Sequence, residues 1–364
     1  MDLVTAVATS MLGVSRLKAA AVFKTLRQSG FTVTLDLVLE ALGVSPSAAG
    51  PLARSAGEAA DWALREAPVR GMTAIPWFDA HYPALLSCID DPPPVLWARG
   101  QIEAALKPAV AIIGSRAATP YALQVGRRLA GELAERGMVV VSGLARGVDS
   151  AAHAGCVDAG GETVAVLGSG IDRIYPAEHE HLADRIVDKG LLLSELGPGG
   201  PPLAEHFPLR NRIISGISLG TVVVEASESS GSLITAGCAL RQGRDVMAVP
   251  GSILSGRNRG SHSLLKDGAK IVETADDILE ELGWRLPQIT AGKCRNPLQD
   301  DPLLARMEAG EGYRLDDLVG HRHGSIETAP APHGVGAAWV CGDGVRRQIH
   351  PPRVASRGLI SVFW

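Results

Sequence analysis

The segment Gly114-Ser115-Arg116 joins a residue that permits tight reversal, a hydroxyl flanked by backbone amides, and a planar guanidinium. Between a strand and a helix, the amides of such a turn face an anion near the helix start, and the arginine fork matches phosphate bidentately. An ordinary strand-to-helix turn with a surface arginine looks the same. In Ser142-Gly143-Leu144-Ala145-Arg146-Gly147-Val148-Asp149, two glycines flank a second arginine, and Asp149 is placed to cap the next helix. His153 lies one turn into that helix, where a satisfied structural histidine competes with a functional one. The run Gly168-Ser169-Gly170-Ile171-Asp172 leads to Tyr175-Pro176. It lacks the full glycine fingerprint with a following acidic ribose contact, so NAD is disfavoured.

Two further segments carry the same chemistry. Arg210-Asn211-Arg212 is expected to enter a helix at Ile213, with the arginines on successive phosphates and Asn211 on backbone or base. A solvated charge pair is the competing reading. Ser230-Gly231-Ser232, with Thr235, opens a helix after Glu225 at a strand end and makes another anion seat. Pro250-Gly251 followed by Arg257 and Arg259 reads as a mobile basic loop. The candidate DNA- or phosphate-binding residues are therefore Gly114, Ser115, Arg116, Gly143, Arg146, Gly168, Gly170, Arg210, Asn211, Arg212, Ser230, Gly231, Ser232 and Thr235. Singly each is ambiguous; arrayed along one sheet edge they favour an extended polyanion. No convincing nucleophile with its base, metal cluster or Walker lysine accompanies them, so no catalytic residue, metal or cofactor is expected.

The elements that must position these loops are short apolar runs at residues 109–113, 139–141, 163–167, 191–193, 221–224, 245–249 and 270–272. Each is apolar on both faces, as strands covered on both sides must be. Helical patterns lie between them, the first capped by Thr119 with Pro120 in its first turn and stopped at Gly137. This alternation predicts an α/β chain with a Rossmann-like, doubly wound parallel sheet over residues 73–285. Residues 1–72 read as a small helical domain, with Ser15 a plausible cap; simple packing there outweighs a DNA contact. Asp91-Pro92-Pro93-Pro94 is a rigid loop, because proline fits neither a helix interior nor a central strand. Val95-Leu96-Trp97-Ala98 after it reads as a short strand. Residues 286–300 form a linker, 301–321 hold two possible short helices, and 322–364 show no amphipathic period.

Composition agrees with this plan. Hydrophobic residues make up 46% and aromatics 4% of 364 residues, with 42 glycines, as suits a parallel sheet packed by small aliphatics and punctuated by turns. The net charge is −4, so any nucleic-acid site is a local basic patch whose affinity falls with salt. Cys88, Cys156, Cys238, Cys294 and Cys341 are scattered and form no CxxC pair, which points to reduced thiols in a cytoplasmic protein. No signal peptide and no membrane span are read.

The ordered series Ile113-Gly-Ser-Arg116, Ser142-Gly-Leu-Ala-Arg-Gly-Val-Asp149, Tyr175-Pro176, Ser194-Glu195, Phe207-Pro-Leu-Arg-Asn-Arg-Ile-Ile214, Val224-Glu-Ala226, Ser230-Gly-Ser-Leu-Ile-Thr-Ala236 and Val249-Pro-Gly251 resembles the DNA-processing protein A (DprA, or Smf) family. The resemblance runs from about Tyr82 to Ala275. It implies a homodimer that binds incoming single-stranded DNA during natural transformation, protects it and helps load the RecA recombinase. It also implies that Arg116 contacts DNA, that residues 1–72 are sterile-alpha-motif-like, and that 301–321 begin a degenerate or truncated winged-helix-like module. Ala177 stands where some relatives carry a lysine, so one phosphate contact is missing or supplied elsewhere. A nucleotide phosphoribohydrolase on the same fold is the enzymatic alternative, although its PGGxGT signature with a downstream glutamate is absent; a nucleotide-sensing module is a third. The tail after His321 reads as a frameshift product or as a natural disordered extension. Resequencing the gene decides: a one-base correction that restores amphipathic helices supports the frameshift, and one that restores none rules it out.

Overall fold

The structure, a computed structural model, describes residues 2–28, 33–284, 312–313 and 360–361. Helices α1 (Leu3–Ser10), α2 (Arg16–Gln28), α3 (Leu35–Ala41) and α4 (Pro46–Val69) precede strand β1 (Thr73–Pro76), the short α5 (Ala84–Ser87) and β2 (Val95–Gly100). Strand and helix then alternate: β3 (Ala109–Ile113), α6 (Pro120–Glu135), β4 (Val139–Ser142), α7 (Val148–Asp158), β5 (Thr163–Leu167), α8 (Glu180–Lys189) and β6 (Leu191–Ser194). The second half runs α9 (His206–Gly216), β7 (Gly220–Val223), α10 (Ser232–Arg241), β8 (Asp245–Ala248), α11 (Arg259–Lys266), β9 (Lys270–Ile271) and α12 (Ala275–Glu281). Every expected strand is present, with ends shifted by a residue or two.

These strands form one sheet in the order β1-β2-β6-β5-β4-β3-β7-β8-β9, parallel from β6 to β9. The α/β, Rossmann-like fold expected from the alternation is what the chain adopts. Sequence reading missed β1 and the sense of β2: β1 pairs antiparallel with β2, and β2 antiparallel with β6. Strand β1 is short and half covered, so it lacks the apolar signature of its neighbours. Alternate residues of each central strand serve opposite layers. Ala111 and Ile113 pack with Ile213, Ile214 and Ala236 of α9 and α10, whereas Val110 and Ile112 pack with Leu129, Leu133 and Ala152 of α6 and α7. The chain winds one way from β3 to β6, then returns to place β7 on the other side of β3. The carboxyl ends of β3 and β7 thus bound the topological switch point, where ligands enter doubly wound sheets.

Helices α1 to α4 share this core. Val7, Ala60 and Ala63 lie in one apolar cluster with Trp97 and Leu192. Residues 2–284 belong to one compact unit, which ends at Leu286. In the second unit the described residues are Gly312–Tyr313, paired antiparallel with Ile360–Ser361. The other expectations for residues 285–364 lie outside the described residues. No described helix is long and apolar enough to cross a membrane.

His153 shows how the fold holds a site loop from beneath. Thr163 donates its hydroxyl to the Val140 carbonyl at 2.6 Å, so it accepts the Nδ1 proton of His153 at 2.7 Å. Nε2 then accepts the amide of Leu144 at 3.3 Å, a residue held at φ 56°. The structural reading of this histidine is the one the geometry supports. Burial and then the nearby Arg210 charge push its pKa down to about 3 from 6.5. Between those values the unfolded chain binds a proton that the fold excludes, so stability falls as pH falls from about 6.5 toward 3. Denaturant unfolding should show about 2 kcal/mol lost through this residue by pH 5. His153→Gln should flatten that part of the profile, and an equal acid loss in the variant would refute the assignment.

Candidate nucleic-acid interface

A cleft of about 570 Å³ opens at the switch point between the segment after β3 and the segment after β7, with α9 as its third wall. Glu225, almost fully buried, holds the first segment at both ends. Its carbonyl accepts the amide of Ser115 at 2.8 Å, and its carboxylate accepts the amide of Thr119 at 3.2 Å and the Thr119 hydroxyl at 2.6 Å. The amides between them, on Arg116, Ala117 and Ala118, meet no acceptor among the described residues. Unclaimed amides in succession form a concave anion seat. The seat is therefore displaced from its expected position: the Ser115 amide is already used, and the three that follow it are free. Gly147, at φ 80°, closes the back of this turn, since a Cβ there would collide with the Ser115 carbonyl.

Arg116 is exposed at the mouth, and its guanidinium lies 5.6 Å from the ring centroid of Phe207. It makes no ion pair among the described residues. The Phe207 ring in turn lies 5.3 Å from that of Tyr175, tilted by 48°. A guanidinium stacked on a ring keeps its edge N–H groups for an anion. Opposite, the Ser230 and Ser232 hydroxyls are 2.7 Å apart beside Gly231, whose amide has no acceptor among the described residues, and Thr235 lines the wall.

Arg210 and Arg212 behave differently from their expected role. They sit in the middle of α9, not at a helix start, and both are buried. Arg212 donates Nε to Asp91 at 2.8 Å, and Nη2 and Nη1 to Glu195 at 2.7 and 3.1 Å. Burial alone would lower its pKa, but the Glu195 and Asp91 charges hold it above the ordinary arginine value. With its donors committed, Arg212 is a structural strut. Arg210 lines the cleft floor and donates Nη1 to the carbonyls of Gly143, at 2.7 Å, and Val166. Burial pulls its pKa down to about 10, and it stays charged at neutral pH. Asp149, also at the floor, accepts the Gly143 amide at 3.0 Å; burial raises its pKa while Arg210 opposes the shift. It does not cap α7, since Gly147 occupies that position.

Of the residues marked in the sequence, the structure brings Gly114, Ser115, Arg116, Arg210, Asn211, Ser230, Gly231, Ser232 and Thr235 to one cleft. Gly143 supports the floor beneath Arg210. Arg146 is not in the cleft lining; it pairs bidentately with Glu178 at 2.6 and 2.7 Å and lies beside Tyr175. Gly168 backs Phe207, and Gly170 packs against Gly197 and Gly200. Sequence reasoning missed Tyr175 and Phe207 as ring surfaces, although both lie in segments it quoted. It also missed Glu225 as the anchor of the anion seat. An acidic residue at a strand end carries no local signal of a partner in another loop.

Residues 73–283 match the family model of DNA recombination-mediator protein A. The DNA processing protein DprA of Bacillus subtilis is 45% identical over 222 residues, spanning 61% of this chain and 75% of that protein. The X-ray structure of DNA processing protein A from Streptococcus pneumoniae matches with a TM-score of 0.68 at 36% identity, covering 75% of this chain and 95% of that one. A structure of DNA processing protein A from Helicobacter pylori, which has a unique single-stranded DNA binding mode, matches with a TM-score of 0.53 at 29% identity, covering 58% and 95%.

Removing Arg212 should unfold before it unbinds. Arg212→Ala leaves two carboxylates without their buried cation, a change that costs about 3–5 kcal/mol. The thermal midpoint should fall by several degrees; an unchanged midpoint would show the triad to be dispensable.

Proposed function

Since this chain belongs to the DNA recombination-mediator protein A (DprA/Smf) family, we propose that it binds single-stranded DNA in the switch-point cleft, and acts by binding instead of catalysis. The observation that carries this reading is the pairing of three free amides with the unneutralised Arg116 at the mouth of a cleft whose buried charges, Arg210 and Asp149, offset each other. Such a seat takes phosphate without regard to base. Asn211, half-buried on the wall, and the Phe207 and Tyr175 rings offer contacts to a base that is free of a duplex.

In the cell the strand would be incoming DNA of natural transformation, held in the cytoplasm for handover to RecA. The family's description as a DNA recombination mediator supports a role in passing DNA to recombination. A homodimer through the Rossmann-like domain accords with β9, an exposed edge strand that carries Ile271 at 52% exposure. The phosphoribohydrolase alternative draws no support from Glu225, whose carboxylate is committed to Thr119.

Arg116→Ala should weaken binding of every single-stranded sequence and reduce the slope of log K against log salt by about 0.7, the value of one single-strand phosphate contact. A mobility-shift titration over a salt series reads this, and an unaltered slope would remove Arg116 from the interface. Single strands should also outcompete duplex of equal length, because only an unpaired base is free to meet Asn211 and the Phe207 and Tyr175 rings. Equal competition, or tight binding of a nucleoside monophosphate with no gain for longer strands, would overturn the proposal.

A further inference from the structure

A second groove, of about 520 Å³, is lined from the continuation of the same segment after β3 that lines the first cleft. Arg116 and Ala117 face the first cleft, while Thr119 and Tyr121 line the second. The far side of the groove is the loop from Pro250 to Asn258. This loop is clamped at its base. Buried Asn258 donates Nδ2 to the Ser252 carbonyl at 3.3 Å, and the Tyr121 hydroxyl donates to the Pro250 carbonyl at 3.4 Å. Arg257 reaches across to donate to the carbonyl of Ala117. Above these contacts the tip stands in solvent, with Ile253 84% and Leu254 92% exposed, and the Tyr121 ring is 53% exposed at the rim.

We propose that this groove is a second nucleobase subsite, taking a base of the same DNA strand whose phosphate sits at Arg116. The inference rests on the single-strand reading of the first cleft. Continuity supports it: Thr119 is three residues from Arg116 and so lies within about 10 Å of it. A strand advances about 3.4 Å per nucleotide even when stacked, so a nucleotide no more than about three along reaches the groove. The chemistry agrees. The Tyr121 ring, with Pro250 and Gly251 across the groove, accepts the flat face of any base, which suits sequence-independent binding. Arg257, which makes no ion pair among the described residues, supplies the cation for the intervening phosphates.

The test uses the full chain and oligothymidylates of increasing length, from a dinucleotide upward, read by fluorescence anisotropy. Tyr121→Ala should weaken the longer strands about tenfold and leave the dinucleotide unchanged, so affinity stops rising with length; Tyr121→Phe should keep the wild-type profile. Leu254→Ser, at the solvent-exposed tip outside the groove lining, should leave this length dependence unchanged. Tyr121 and Leu254 are exposed, and circular dichroism confirms that each variant is folded. Equal length dependence in wild type and Tyr121→Ala overturns the second subsite while the first cleft stands. If Arg116→Ala binds every length as tightly as the wild type, both readings are overturned. If Tyr121→Ala or Leu254→Ser instead changes the sedimentation coefficient without DNA, the groove is a contact between copies, and the subsite is refuted.

Discussion

Helix α9 carries two guanidinium groups into the protein interior, and a buried charge without partners is among the costliest features a fold can contain. Arg212 is matched from several directions, whereas Arg210 keeps its Nε without a hydrogen-bond partner among the described residues. Arg212 is held by Asp91, on the proline-rigid loop before β2, and by Glu195 at the end of β6. Arg210 is held by carbonyls at the ends of β4 and β5 and by the charge of Asp149. The helix is thus bolted to four neighbouring strand ends. Its position sets the third wall of the cleft, with Phe207, Asn211 and Ile214 facing the opening. Arg16 of α2 adds a longer contact to Glu195 at 3.6 Å, so the N-terminal helices bear on the same cluster.

This use of charge changes what makes the cleft attractive to an anion. Counting arginines along the chain overstates its basicity, since Arg146 is paired with Glu178, Arg212 with two carboxylates, and Arg210 faces Asp149. Among the described residues that line the cleft, Arg116 is left unpaired at the mouth, beside a set of fixed amide dipoles. Glu225 makes that set available by tying down Ser115 and Thr119 and leaving the amides between them unclaimed. A cleft built this way presents its donors by geometry within a molecule of net charge −4. The rings of Phe207 and Tyr175 then keep Arg116 at the mouth without neutralising it.

The sheet supplies the common frame. Because β7 returns to the far side of β3, the segments that follow these two strands part at their carboxyl ends. The β8 to α11 loop stands beside them, reached by Tyr121 and reaching back through its own Arg257 to the Ala117 carbonyl. A strand lying across this edge would meet loops from distant parts of the chain in spatial order, not in sequence order.

Local patterning was enough to determine the fold class, because a strand covered on both faces must be continuously apolar and a crossover helix must carry its own caps and stops. Thr119 before Pro120, and the runs at β3, β5 and β6, state this without help from elsewhere. The sequence likewise marked residues after β3, after β7 and in α9 that the fold brings to one cleft. The fate of each charge was decided only by the tertiary structure. Whether an arginine is a phosphate contact or a strut depends on which carboxylates the fold brings to it, and Asp91, Glu195 and Glu178 lie too far along the chain to be read beside Arg212 and Arg146. The same holds for the amides after Ser115, which are free because a glutamate over a hundred residues away holds the two ends of their loop.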